Sequence, residues 1–171
     1  MIDDIKYTIF KTRPGYFGFC CTDKGVLRTC LPLKTRESVE DYLLAGIANP
    51  EFDKKLLPNL QKQIITYYQG QCVDFSKTPV DLSSLTPFTQ KVLRACMKIK
   101  YGHTNTYKQL AEQVGSPNSA RAIGGVMARN PIPLIIPCHR VLSANGSLCG
   151  FSAPGGLETK KWMLSLESKI I

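Results

Sequence analysis

The residues with the clearest chemical potential are adjacent in the chain: Cys138, His139 and Arg140. A thiol becomes a strong nucleophile when it loses its proton, and a neighbouring base or positive charge favours that loss. Most free cysteines, however, are small buried hydrophobic residues. The triplet alone is therefore compatible with a reactive thiol or with a structural one.

The elements on either side must position these groups. Residues 134–136 are apolar and mostly β-branched, which predicts a short buried strand, and Pro137 then ends the ladder. Residues 159–168 have a helical apolar pattern, with Glu167 near the carboxyl end. A carboxylate there opposes the helix dipole and needs a hydrogen-bonding partner. His139 is our candidate for that partner.

Composition narrows the class of protein. The chain has 171 residues, of which 43% are hydrophobic, enough for one large domain or two small ones. Asp3 and Asp4 do not fit a signal peptide, and no apolar run has membrane-spanning length. We expect a soluble protein of the cytoplasm, or of the nucleus in a eukaryote. Seven cysteines without a disulfide pattern and only two histidines predict reduced thiols and no metal site.

The positive charge is uneven along the chain. Residues 1–80 contain 11 Lys and Arg against 9 Asp and Glu, whereas residues 81–171 contain 11 against 4. A basic excess in one half is typical of contact with a polyanion, although a solubilising surface would have the same composition.

The first 80 residues predict a small α/β unit whose function is structural. Aromatic and β-branched segments separated by turn residues predict an antiparallel meander of three strands. A further strand, two helices and a linker complete the unit. The predicted segments are strands at 7–10, 16–22, 26–31 and 72–75, helices from 38 and over 56–68, and a linker at 79–84.

The second half predicts mainly helices. Its helix starts are marked by capping residues: Thr86 before Pro87, and Thr106 with Gln109 as a capping box. The helices that follow Thr106, over 107–114 and 118–129, are short and separated by a tight turn. That spacing fits a helix-turn-helix, which also occurs in ordinary protein cores.

The second of these two helices has an unusual surface composition. Small residues alternate with long cations: Ala120, Arg121, Ala122, Gly124, Gly125 and Arg129. Each glycine weakens a helix by about 1 kcal/mol. We interpret the pattern as close approach to nucleic acid with little base readout, and tight packing between helices is the alternative.

Several motifs in this half occur together and in a fixed order. They are Tyr107-x-Gln-Leu-Ala, Ala120-Arg121-Ala122-x-Gly-Gly, Asn130-Pro131-x-Pro, Ile136-Pro137-Cys138-His139-Arg140-Val141 and Gly155-Gly156-Leu157. The set resembles the signature of the O6-alkylguanine-DNA alkyltransferases, also called methylated-DNA–protein-cysteine methyltransferases. The resemblance extends from about residue 86 to residue 167.

The resemblance implies a suicide reaction in which Cys138 takes the alkyl group from the guanine oxygen. His139, held by Glu167, would accept the thiol proton directly or through a water. Asn130 would hold the active-site turn, and Tyr107 would donate to the departing guanine anion. No cofactor is implied, because the protein itself is the alkyl acceptor.

The remaining implied roles concern binding. Ser152 would contact the base, the carbonyl groups of Cys138 and Val141 would accept from its exocyclic amine, and Met127 and Phe151 would line the pocket. Arg121 would fill the stack left by a flipped nucleotide, with its helix in the minor groove. The residues expected to contact DNA with it are Ala120, Ala122, Gly124, Gly125 and Arg129.

The expected fold is α/β, or α+β. It comprises a ribonuclease-H-like α/β domain over 1–80 and a mainly helical alkyl-acceptor domain over 85–171, with a helix-turn-helix and an active-site cysteine loop. The expected partner is double-stranded DNA containing alkylated bases, bound by a monomer with no membrane contact. O4-alkylthymine is a second candidate substrate. Two alternatives stay open: a silent sensor of alkylated bases and a cysteine hydrolase.

Overall fold

The computed structural model describes residues 4–168. Three strands form the predicted antiparallel meander: β1 (Lys6–Lys11), β2 (Tyr16–Thr22) and β3 (Gly25–Leu33). A short strand that the sequence did not indicate, β4 (Glu51–Phe52), adds to β1 in parallel, so the sheet has the order β3-β2-β1-β4. The mixed α+β fold class is confirmed.

Each face of the sheet packs on a helix. Helix α1 (Arg36–Leu44), capped by Thr35, buries its apolar side on one face, while α2 (Pro58–Tyr68) joins the core on the other. The core on the α2 side continues without interruption into the helices of the second half. The strand predicted over 72–75 is wrong, because this segment is irregular.

The second half contains the predicted helices. They are α3 (Pro87–Met97), α4 (Tyr107–Gln113), α5 (Ala120–Ala128) and α6 (Gly156–Ser168). Thr86 caps α3, and Thr106 and Gln109 form both hydrogen bonds of the capping box at α4. Helices α3, α4 and α5 pack on one another, and a small parallel pair, β5 (Asn105–Thr106) with β6 (Val141–Leu142), lies beside them.

The segment 79–84 packs closely on the sheet. Val26 donates its N–H to Pro79 O at 2.9 Å and accepts from the N–H of Asp81 at 2.8 Å. Asp81 is buried and accepts a hydrogen bond from Thr22. The segment predicted as a linker therefore extends the free edge of β3. The division into domains at 1–80 and 85–171 stays a prediction.

The strand predicted over 134–136 is wrong, although these residues are buried as expected. The chain turns here, because Leu134 has a φ of 77° and Ile136 N donates to Ile132 O at 2.9 Å. Prolines at 131 and 133 also remove two backbone donors, which disfavours a regular ladder. Cys138 consequently follows a compact turn, and not a strand.

Within residues 4–168, no helix combines the length and apolar character needed to cross a membrane.

Candidate active site

Cys138 starts a 3-10 turn, Cys138–Arg140, that leads directly into β6. Asn130 braces the preceding turn: its Nδ2 donates to Ile136 O at 2.9 Å and its Oδ1 accepts from Ile132 N at 3.0 Å. Burial raises the pKa of the Cys138 thiol, whereas a hydrogen bond from Asn130 and the charge of Lys160 oppose this rise. Cys138 is only 5% exposed, so the surroundings of its thiol decide its reactivity.

His139, the next residue in the chain, is fully buried. Its Nε2 lies 2.6 Å from Oε1 of Glu167, and its Nδ1 has no hydrogen-bond partner among residues 4–168. An ionised carboxylate can only accept, so Nε2 carries the proton and Nδ1 presents a lone pair. Burial lowers the pKa of His139, which keeps the ring neutral and able to accept a proton.

Glu167 is the centre of a buried hydrogen-bond network. Arg140 donates from Nε to Oε2 and from Nη2 to Oε1, both at 3.0 Å, and Tyr67 donates to Oε1 at 2.8 Å. Burial disfavours the charged carboxylate, but His139 and Arg140 outweigh it and lower the pKa of Glu167 to about 2. Because the guanidinium is permanently charged, Arg140 holds Glu167 ionised even when His139 is neutral.

A cleft of about 420 Å³ opens between α5 and the loop that follows β6. Its walls include Tyr107, Arg121, Gly124 and Cys149. Cys138 is not part of these walls. The pKa of Tyr107 is nevertheless raised, chiefly by burial, then by Cys149, and also by the negative charge that Cys138 would carry as a thiolate. The size is within the usual range of about 300–1,000 Å³ for ligand pockets.

Helix α5 presents a surface of small and cationic residues. Arg121, Ala122 and Arg129 are exposed, and a Cβ added at Gly125 would meet only the flexible end of Arg129, at 3.3 Å. A Cβ at Gly124 would lie an ordinary 4.0 Å from the ring of Tyr107. Packing within the chain therefore does not require either glycine, which favours close approach by an external surface over the helix-packing alternative.

The other predicted binding residues are less closely grouped. Val141 and Met127 are buried, and Phe151 packs on the core. Ser152 donates to the carbonyl oxygen of Ala128 at the end of α5. It lines a separate groove of about 490 Å³, whose other walls include Arg129, Asn130 and Arg28. The structure thus joins His139 to Glu167 and places Cys138 next to His139 in the 3-10 turn, whereas Ser152 lines a neighbouring groove.

Three contributors to the site were missed from the sequence. Lys160 on α6 is fully buried, Tyr67 on α2 binds Glu167, and Thr29 on β3 donates its hydroxyl to Pro133 O at 2.7 Å. A lysine three residues before Met163, on the apolar side of a helix, was the one available sequence signal for Lys160. The contacts of Tyr67 and Thr29 join residues about a hundred positions apart and have no local signature.

Fold and site together define a protein with a buried Cys–His–Glu array beside a short helical hairpin. Among residues 4–168, no group of three His, Cys, Asp or Glu side chains could hold a metal ion. The buried thiol of Cys138 thus lies in the same half of the chain as a helix with exposed arginines and small residues.

Comparisons with known proteins agree with this description. Residues 87–169 match the family profile described as "6-O-methylguanine DNA methyltransferase, DNA binding domain". A methylated-DNA–protein-cysteine methyltransferase of Methanosarcina acetivorans is 38% identical over 94% of this chain and 97% of its own length. The Mycobacterium leprae protein of the same name is 45% identical, and that match covers 61% of each chain, less than two thirds.

Solved structures also resemble the fold. OGT from Mycobacterium tuberculosis, in a crystal structure with DNA, superposes with a TM-score of 0.80 at 29% identity, over 96% of this chain and 93% of that one. With the near full-length match to the Methanosarcina relative, this chain belongs to the methylated-DNA–protein-cysteine methyltransferase family.

Proposed function

We propose that this protein repairs DNA by direct reversal, through one irreversible transfer of an alkyl group from O6-alkylguanine to Cys138. O4-alkylthymine is the second candidate substrate. The acceptor is consumed, so each chain acts once, as a monomer and without a cofactor. The reaction takes place wherever the cell keeps its DNA, which is the cytoplasm of a prokaryote or the nucleus of a eukaryote.

The chemical step is an in-line displacement at the alkyl carbon. Nδ1 of His139 takes the thiol proton, through a bridging water where the two groups are too far apart for direct contact. The Cys138 sulfur forms a bond to the carbon as the bond from that carbon to the guanine oxygen breaks. The guanine leaves with the electron pair, and Tyr107 donates to the resulting anion.

DNA binding prepares this step. The alkylated carbon is inaccessible inside a duplex, so the nucleotide must rotate out of the stack at a cost of a few kcal/mol. We place α5 in the minor groove, with Arg121 filling the vacated space and the surface of Ala120, Ala122, Gly124, Gly125 and Arg129 against the backbone. The cleft beside Tyr107 receives the base, with the alkyl group directed toward Cys138. Met127, Val141 and Phe151 complete the surroundings, and we expect Ser152 to reach the base from the neighbouring groove, which shares Ala128 with this cleft.

One observation carries the proposal. His139 is buried and neutral, Glu167 fixes its Nε2, and its Nδ1 is left without a protein partner among residues 4–168. A buried acceptor without a partner is rare in proteins and calls for an explanation. A structural cysteine needs no such base, whereas a thiol that must lose its proton does.

The test is a stoichiometric transfer experiment. Full-length protein is incubated with duplex DNA containing O6-methylguanine, and the peptide containing Cys138 is analysed by mass spectrometry. We expect one methyl group on Cys138 per chain and one repaired guanine per methyl group. Repeated turnover would contradict the suicide mechanism and favour a hydrolase. Binding of the DNA without transfer would favour the lesion sensor.

Two variants serve as controls in this experiment. Cys138→Ser should bind the lesion and transfer nothing, because its hydroxyl is a far weaker nucleophile than a thiolate. Cys72→Ser, which changes an exposed cysteine in the same way, should transfer normally. Transfer retained in the first variant would show that another residue is the acceptor.

A further inference from the structure

Lys160 carries a buried charge that the proposed reaction does not yet use. The side chain extends from α6 and is fully shielded from solvent. Its Nζ donates to Val141 O at 2.7 Å and to Cys149 O at 3.1 Å, and no carboxylate within residues 4–168 forms an ion pair with it. Lysines are almost never fully buried without an opposite charge, so this position requires an explanation.

The charges around the thiol leave one positive charge in excess. Glu167 is paired with Arg140, and His139 is neutral, so these groups contribute no net charge. Lys160 adds one positive charge that two carbonyl dipoles offset only in part. Burial lowers the pKa of Lys160, and negative charge on nearby thiols, that of Cys138 first, opposes this. The array therefore lacks one negative charge when Cys138 is protonated.

Ionisation of Cys138 supplies that charge. Three titratable groups interact electrostatically with Cys138: Cys96 of α3, Tyr107 of α4 and Lys160 of α6. His139 and Arg140 follow Cys138 in the 3-10 turn and both bind Glu167, while the carbonyl of Cys149 accepts from Lys160. Of the two cations among these groups, Arg140 is paired with Glu167, whereas Lys160 has no carboxylate partner within residues 4–168. A thiolate, and later the dealkylated guanine leaving as an anion, would meet the same ammonium.

We propose that Lys160 is a positioning residue that stabilises the Cys138 thiolate and fastens the loop at Cys149 against β6. The charge acts on the sulfur through space, while the two hydrogen bonds hold the wall of the cleft that contains Cys149. Only the part concerning the guanine anion depends on the proposed function. The effect on the thiolate is a property of the free protein.

The test therefore uses free protein and a small alkylating reagent. Wild type, Lys160→Met and Lys160→Arg are treated with iodoacetamide across a pH series, and labelling of the Cys138 peptide is followed by mass spectrometry. An opposite charge within about 4–6 Å lowers the pKa of an acid by roughly 1–3 units. We expect the midpoint of Cys138 labelling to rise by about one pH unit in Lys160→Met, and the Lys160→Arg profile to stay with wild type.

Three internal controls separate charge from general damage. Labelling of exposed Cys72 should have the same midpoint in every variant, and Lys161→Met, which removes an exposed charge from the same helix, should leave the Cys138 profile unchanged. Lys160→Gln keeps hydrogen-bond donors but loses the charge, so its midpoint should rise as in Lys160→Met. If Lys160→Met does not fold, the midpoint of Cys138 labelling in Lys160→Gln takes its place as the test.

The outcomes exclude one another. A wild-type midpoint in Lys160→Gln or in folded Lys160→Met, or a rise in Lys160→Arg equal to that in Lys160→Met, would overturn the electrostatic role. If the midpoint moves as expected but no variant or wild type transfers methyl groups from DNA, the role of Lys160 stands and the proposed function fails.

Discussion

At the scale of single residues, the site depends on which groups keep their protons. In the proposed mechanism, His139 must stay neutral to act as a base, and Glu167 must stay ionised to orient it. Burial secures the first condition, and Arg140 secures the second. A histidine in water would titrate near neutral pH and lose its lone pair just below it. The buried network therefore widens the pH range over which Cys138 can be activated.

The same network predicts how stability depends on pH. The pKa of Glu167 falls from 4.5 to about 2 on folding, so its contribution is present above the unfolded pKa and is lost as the pH falls toward the folded one. Such a shift corresponds to about 3 kcal/mol of unfolding free energy. In urea unfolding, we expect the free energy of unfolding of wild type to fall by about that amount between pH 6 and pH 2.5. The Glu167→Gln variant should lack this contribution to the fall.

Glu167→Gln should also be less stable at neutral pH by about 3–5 kcal/mol, because Arg140 is left buried without its carboxylate. The control is Glu112→Gln, which removes an exposed carboxylate on α4 and should leave the acid dependence of wild type in place. An identical pH dependence in Glu167→Gln and wild type would mean that Glu167 is not the group responsible.

At the scale of elements, α5 and the turn before Cys138 have different tasks. The helix provides the surface that we propose for contact with DNA. The turn fixes the position of Cys138 through the two hydrogen bonds of Asn130. The cleft lies on the α5 side, where Arg121 and Gly124 form part of its wall. In the proposed mechanism, a nucleotide that enters from this helix therefore reaches Tyr107 before it reaches Cys138.

Gly125 allows the role of this surface to be tested. Alanine is favoured over glycine inside a helix by about 0.5–1 kcal/mol, and the added methyl group would displace only the end of Arg129. Gly125→Ala should therefore be slightly more stable in urea unfolding. If DNA packs against this glycine, the variant should bind duplex DNA severalfold more weakly in fluorescence anisotropy while reacting normally with free O6-benzylguanine. Unchanged duplex affinity would contradict contact at this position.

At the scale of the whole molecule, the sequence predicted what depends on near neighbours. The caps at Thr86 and Thr106 and the meander of β1 to β3 are set by residues a few positions apart. The composition of residues 134–136 predicts a strand, whereas the structure has a turn there, because the hydrogen bond that Asn130 donates to Ile136 O leaves no pattern in the sequence. The contacts that join the two halves could not be predicted from the sequence either, because they depend on tertiary packing.

Through those contacts, the first 80 residues support the candidate active site. Thr29, at the free edge of β3, donates its N–H to Pro131 O at 3.1 Å and its hydroxyl to Pro133 O at 2.7 Å. Both acceptors belong to the turn that precedes Cys138. The sheet thus supports the active-site turn from outside, while Tyr67 of α2 supports Glu167.

Thr29→Val tests this support, since valine keeps the shape but leaves the Pro133 carbonyl without its donor. An unmade buried hydrogen bond costs about 1–3 kcal/mol, so the free energy of unfolding should fall by that amount. The turn would also loosen, and methyl transfer to Cys138 in single-turnover kinetics should slow severalfold. The matched control is Thr22→Val, which breaks the hydrogen bond from the end of β2 to Asp81, in the segment that packs along β3. It should lose comparable stability and keep the wild-type transfer rate; equal slowing in both variants would mean that stability, and not support of the turn, sets the rate.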